Sequence, residues 1–238
     1  MNQLKLPIQT IIFDFDYTLV ESSRGTIDGV NFAFDKMGMP LASDAAIRQT
    51  IGLALPDILT ALAGEAYSRR VDEFTRLFLQ RADETMVALA EFYAGVPETV
   101  QALRRLGLQL AIVSQKRRDY IQGILTRGNL LDAFDVILGG GDAAYKPNPE
   151  GLLLAVAQTD SIPQNCFYVG DSVTDAKTAQ RAAVPFIAVL SGVTPRTAFE
   201  DYDVYAILED VSEVLNLEPV KNCNSVNNRA LAKERVTR

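Results

Sequence analysis

Two apolar patterns divide the chain. Short, often β-branched runs recur at residues 10–13, 108–113, 134–138, 167–169 and 186–190, each followed by polar or glycine-bearing positions, with a weaker sixth at 204–207. Continuous runs of this length suit strands buried on both faces of a parallel sheet. From Val96 onward they alternate with helical patterns. Residues 97–106 carry Pro97 in the first turn and stop at Gly107, the usual marks of a helix start and end. Pro149 opens a second pattern running toward Gln158, and 173–182 forms a third. Alternating β and α predicts an α/β fold, a doubly wound, Rossmann-like parallel sheet with right-handed crossovers.

Residues 21–94 break the alternation. This stretch is rich in Ala, Leu and charge, has helix-period apolar spacing at 58–63 and 74–79, and offers no convincing strand. It predicts a small α-helical cap domain inserted after the first strand, lying over the carboxyl edge of the sheet, where such folds bind ligands. The core domain would then be residues 1–20 and 95–218. Asn, Lys and Arg dominate 219–238, predicting a polar tail that is disordered or a frayed terminal helix.

Composition narrows the function. The chain has 238 residues, 48% hydrophobic and 22% charged, with net charge −7, so nucleic acid is not an expected partner. Neither a signal-peptide h-region nor a membrane span is visible, and the two cysteines do not suggest a disulfide framework. A cytoplasmic protein with free thiols is expected. A monomer and a homodimer both stay open. The complete lack of histidine excludes Ser-His-Asp triads and His-ligated zinc. Acid–base work must fall to carboxylates, Lys, Tyr or Cys.

Candidate chemistry clusters at the predicted strand ends. Asp14 and Asp16 follow the first run, and residues two apart on an extended chain project to the same side. Two carboxylates so placed repel unless a cation lies between them. A metal site with a nucleophilic and an acid–base carboxylate, or two capping aspartates, would account for the pair alone. Ser114 follows the second run and could hold a phosphoryl oxygen. Lys146 sits in Tyr145-Lys146-Pro147-Asn148-Pro149, where prolines restrict the backbone. Asp171 and Asp175 lie in Gly170-Asp171-Ser172-Val173-Thr174-Asp175, after another strand and one helical turn apart.

Asp-x-Asp-x-Thr after one strand, Ser after the next, Lys-Pro later, and Gly-Asp-Ser-x-x-Asp after another strand, in that order, resembles the haloacid dehalogenase superfamily. The resemblance covers roughly residues 8–215. It implies that Asp14 attacks phosphorus, that Asp16 serves as acid and then base, and that Ser114 and Lys146 hold the phosphoryl group while Thr18 braces the loop. It also implies Mg²⁺ on the Asp14 side chain, the Asp16 carbonyl and Asp171, with Asp175 in support. The second aspartate, Asp16, favours phosphate over halide chemistry.

The helical cap and the segments Val113-Ser114-Gln115-Lys116-Arg117 and Lys146-Pro147-Asn148-Pro149 look most like the phosphoglycolate phosphatase-like subgroup. That implies a phosphoric monoester hydrolase for a small phosphorylated metabolite, 2-phosphoglycolate first. An inorganic pyrophosphatase, a broad sugar or nucleotide phosphatase, and an inactive binding or regulatory protein are the alternatives. Gln115 and Arg48 are expected at the substrate, with Arg24 a weaker candidate. Tyr17 replaces the glycine common in the family, and Glu21 stands where an aspartate is usual.

Overall fold

The computed structural model describes residues 7–223. Six parallel strands form the main sheet: β1 (Thr10–Phe13), β4 (Gln109–Val113), β5 (Val136–Leu138), β6 (Cys166–Gly170), β7 (Phe186–Val189) and β8 (Val204–Leu208). Their spatial order is β5-β4-β1-β6-β7-β8. The chain leaves β1 toward β4 on one side and later returns to β6 on the other. The crevice beside β1 is therefore the switch point of the sheet, where α/β folds bind ligands.

Strand side chains alternate between faces, and two apolar clusters follow from that. Ile11, Phe13, Leu110, Ile112, Phe167 and Val169 pack with α5 (Val96–Arg105) and α6 (Arg118–Arg127). Ile12, Ala111, Val113 and Tyr168 face the other way, toward α7 (Glu150–Gln158) and α8 (Val173–Ala182). Because both faces are covered, the runs are continuously apolar. The weak run near 204 is a strand, half-exposed because it lies at the edge of the sheet.

Between β1 and α5 stand four α-helices: α1 (Ser23–Lys36), α2 (Asp44–Arg48), α3 (Leu55–Ala63) and α4 (Val71–Leu89). Val30, Phe34, Ile58, Phe74 and Phe78 form their own apolar cluster, which Tyr120 of α6 joins from the core. Gly29 permits the close approach of α1 to α4, since a Cβ there would lie 2.8 Å from the Phe78 ring.

Two features differ from expectation. The stems of the helical insert pair as an antiparallel ribbon, β2 (Val20–Glu21) with β3 (Glu91–Phe92). Two residues per strand are too few to leave a periodic signal. At the other end, the start of the tail takes the helical alternative and packs instead of fraying: α9 (Glu218–Lys221) seats Val220 in the core, and buried Cys223 contacts the Ile8 carbonyl. The rest of the expected tail, 224–238, lies outside the described residues. Both cysteines are free and buried. Among the described residues no helix is long and apolar enough to cross a membrane.

Candidate active site

Backbone pairing places the candidate residues at the carboxyl ends of neighbouring strands. The Asp14 amide donates to the Val169 carbonyl at 2.8 Å, continuing the β1–β6 ladder by one residue. The Ser114 amide donates to the Leu138 carbonyl at 3.0 Å, and Asp171 follows directly after β6. After Asp14 the chain curls tightly, with the amides of Leu19 and Val20 returning to the Phe15 carbonyl. Tyr17 lies on this curl at φ 62°. The left-handed backbone explains why glycine is usual there. A left-handed non-glycine residue costs roughly 1–2 kcal/mol, which burial of the Tyr17 ring offsets. Ser191 Oγ, 2.6 Å from the Tyr17 carbonyl, fixes the conformation.

Lys146 is the hub of the site. Its Nζ lies 2.6 Å from Asp14 Oδ1, 2.7 Å from Asp175 Oδ1 and 3.2 Å from the Tyr168 hydroxyl. Burial alone would strip the proton from this ammonium, but Asp14 and Asp175 outweigh burial and hold its pKa well above the usual lysine value. Tyr168 donates to Asp175 Oδ1 at 2.7 Å, and burial together with Asp175 keeps its hydroxyl protonated. Asp175 also closes a capping box with Ser172 at the start of α8. Both of its oxygens are thus engaged, Oδ1 by Lys146 and Tyr168 and Oδ2 by Ser172. One carboxylate thus caps α8 and contacts Lys146 at the same time.

Asp14, Asp171 and Asp175 are all buried, with carboxylate oxygens within 4.8 Å of one another. One ammonium faces three carboxylates. Burial, opposed only in part by Lys146, pushes the Asp14 carboxyl from 3.8 up to about 7. Burial and the neighbouring carboxylates likewise hold Asp171 well above the usual range. This electrostatic deficit fits a divalent, oxygen-seeking cation. Asp14 and Asp171 would hold it, with Asp175 bracing from behind. The Asp16 side chain lies outside that cluster, bound by Ser22 Oγ at 2.5 Å and Lys116 Nζ at 3.0 Å.

The other candidates divide. Ser114 and Lys146 line one small pocket together. Thr18 donates to Asp171 Oδ1 at 3.3 Å, tying the curl after β1 to the end of β6. Gln115 Nε2 donates to the Gly52 carbonyl at 2.5 Å, bridging the β4 loop to the helical insert. Arg48 lines neither that pocket nor the larger chamber beside Asp16; it pairs with Glu21 at 3.3 Å and touches the Tyr17 hydroxyl at 3.4 Å. Arg24 pairs with Glu91. Lys116, Tyr168 and Ser22 belong to the site without having been expected there. A Lys two residues beyond a strand-end Ser was a visible signal for the first. Nothing local marked Tyr168, an apolar-run residue whose hydroxyl reaches the site only through strand register.

The family model of the haloacid dehalogenase-like hydrolases matches residues 11–189. The chain belongs to this family. Among curated haloacid dehalogenase-like relatives, the phosphoglycolate phosphatase of Escherichia coli K12 is 26% identical over 252 residues, covering 95% of this chain and 100% of that one. The phosphoglycolate phosphatase of Yersinia pseudotuberculosis is 29% identical over 191 residues, covering 78% and 82%. A solved structure from Bacteroides fragilis, named as a haloacid dehalogenase-like hydrolase, superposes with TM-score 0.84 at 33% identity, covering 87% of this chain and 99% of that one.

Proposed function

We propose that the chain is a Mg²⁺-dependent phosphatase that hydrolyses small phosphomonoesters through an aspartyl-phosphate on Asp14. The coarser part of this reading, a phosphatase of the haloacid dehalogenase-like family, rests on the family match and the names of the relatives. The observation that carries the mechanism is the buried Asp14–Lys146–Asp175 network, with Asp171 completing the carboxylate cluster.

In this reading Asp14 attacks phosphorus and the bond to the leaving oxygen breaks. Asp16, entering as the acid, gives that oxygen its proton, then takes one from the water that cleaves the Asp14–phosphorus bond, which frees Asp14 as a carboxylate and returns Asp16 to its acid form. Lys146 and Ser114 hold the phosphoryl oxygens, and Lys116 keeps Asp16 in position. Phosphoryl transfer needs such placement and charge neutralisation more than covalent help. Bound Mg²⁺ would supply the remaining positive charge against the transferring group.

The relatives' names support 2-phosphoglycolate as one substrate. The acidic charge balance and the lack of a membrane-spanning helix among the described residues suit a cytoplasmic enzyme of small metabolites rather than one acting on nucleic acid. Phosphate release from 2-phosphoglycolate, sugar phosphates and pyrophosphate, with and without Mg²⁺, tests the reading. Mg²⁺-dependent release from phosphomonoesters is expected. No release from any of them with Mg²⁺ present would sink it, and a preference for pyrophosphate would replace it with the pyrophosphatase alternative.

A further inference from the structure

A chamber of about 190 Å³ lies between the helical insert and the sheet, and it meets the site at Asp16 and Lys116. Its walls include Leu53, Ile58, Phe78, Leu79 and Met86, with Thr26 and Thr75 adding hydroxyls. For scale, an apolar cavity of about 150 Å³ is enough to hold benzene. Every cation on its lining is already matched. Lys116 pairs with Asp16 at 3.0 Å, both side chains being at least nine-tenths buried, and its Nζ also touches Met86 Sδ. Arg117 pairs with Asp83 and Asp119 and donates to the Tyr120 hydroxyl. Gln115 spends its Nε2 on the Gly52 carbonyl, while its Oε1 is a buried acceptor with no hydrogen-bond partner among the described residues. Such an acceptor attracts a hydroxyl and repels a carboxylate.

We infer that this chamber selects phosphomonoesters whose leaving alcohol is uncharged and carries an apolar body up to the size of a benzene ring, ahead of 2-phosphoglycolate. This rests on the phosphatase reading and sharpens its substrate class. A carboxylate on the leaving group would enter a largely apolar space whose lining charges are already paired, and would strand a charge there unless it broke the Lys116–Asp16 pair. Breaking that pair would disturb the residue that handles the leaving proton. The second phosphate of pyrophosphate would bring still more charge. An alkyl or aryl body instead displaces water from Leu53, Phe78 and Leu79, and the gain is available in the transition state.

The test is kcat/KM, at fixed Mg²⁺, for ethyl, butyl, hexyl and benzyl phosphate beside 2-phosphoglycolate and pyrophosphate. The expected rise is about two- to fourfold per added methylene from ethyl to butyl. Benzyl phosphate should exceed 2-phosphoglycolate by at least about tenfold. Leu53→Arg adds a cation to the half-buried rim of the chamber and should lower the benzyl-to-phosphoglycolate ratio by about tenfold or more. Should that variant not fold, product inhibition of the unaltered protein serves instead, with benzyl alcohol expected to compete better than glycolate. Equal or better turnover of 2-phosphoglycolate or pyrophosphate, a flat alkyl series, or stronger inhibition by glycolate overturns the inference while leaving the phosphatase reading intact. Failure to cleave any of these esters removes the phosphatase reading itself.

Discussion

The ends of β1, β4 and β6 and the helical insert above them solve opposite problems. At the strand ends, Asp14, Asp171, Asp175 and Lys146 are buried ionisable groups held within a few ångströms, an arrangement that opposes folding unless each charge is answered. In the insert, Phe34, Phe74 and Phe78 of α1 and α4 pack into an apolar cluster. The first region concentrates electrostatic cost where chemistry needs it. The second supplies ordinary apolar burial and leaves a chamber over the site. Reactivity and selectivity are therefore separable in this molecule, and each can be attacked without the other.

The sharpest separation comes from Asp14→Asn. Loss of the proposed nucleophile should lower kcat by at least about 10³-fold. The metal-free fold should hold or gain stability, because one of three crowded carboxylates is gone. Phosphate release together with a thermal melt checks both halves. Retained turnover breaks the assignment of Asp14.

The converse is Phe74→Ala, fully buried in the apolar cluster of the insert. Removing a buried aromatic ring should cost about 3–5 kcal/mol of stability. Any loss of catalysis should appear in KM for bulky esters before kcat. A kcat loss as large as that of Asp14→Asn, in protein still folded, would show that the two regions are not separable.

A third comparison needs no mutation. The folded-state pKa of Asp14 and that of Asp171 are raised, chiefly by burial. A carboxyl raised on folding contributes stability that is complete below the ordinary value near 3.8 and is lost as pH rises through the folded value, about 7 for Asp14. The metal-free protein should thus lose up to about 4 kcal/mol from this group between those limits, at 1.36 kcal/mol per pKa unit. Mg²⁺ should restore much of that loss. Melting temperature against pH, with Mg²⁺ and with a chelator, measures it. Coincident curves would remove the cation from this site.

Much of the core was legible. The runs ending at Phe13, Val113 and Val169 are strands because both sheet faces are covered, so burial is written as unbroken apolar sequence. Ser172 and Asp175 announce the start of α8 through their spacing alone. Arg48 shows the limit. It was expected at the substrate, and in the folded chain its guanidinium lies on Glu21 and Tyr17. A surface side chain chooses among partners that only the folded chain brings near. Lys116 was visible as a residue but not as a partner of Asp16, one hundred positions away.

The sequence by itself determined the α/β fold, the insertion of the helices after β1, and the order of Asp14, Ser114, Lys146 and Asp171 along the strand ends and the loop after β5. These depend on local periodicity and on short motifs whose backbone context travels with them. The tertiary structure alone decided that Tyr168 joins Lys146 and Asp175, that Lys116 closes on Asp16, and that an apolar chamber opens beside them. Those contacts depend on strand register and on how the helical insert packs over the sheet, and neither leaves a periodic trace along the chain.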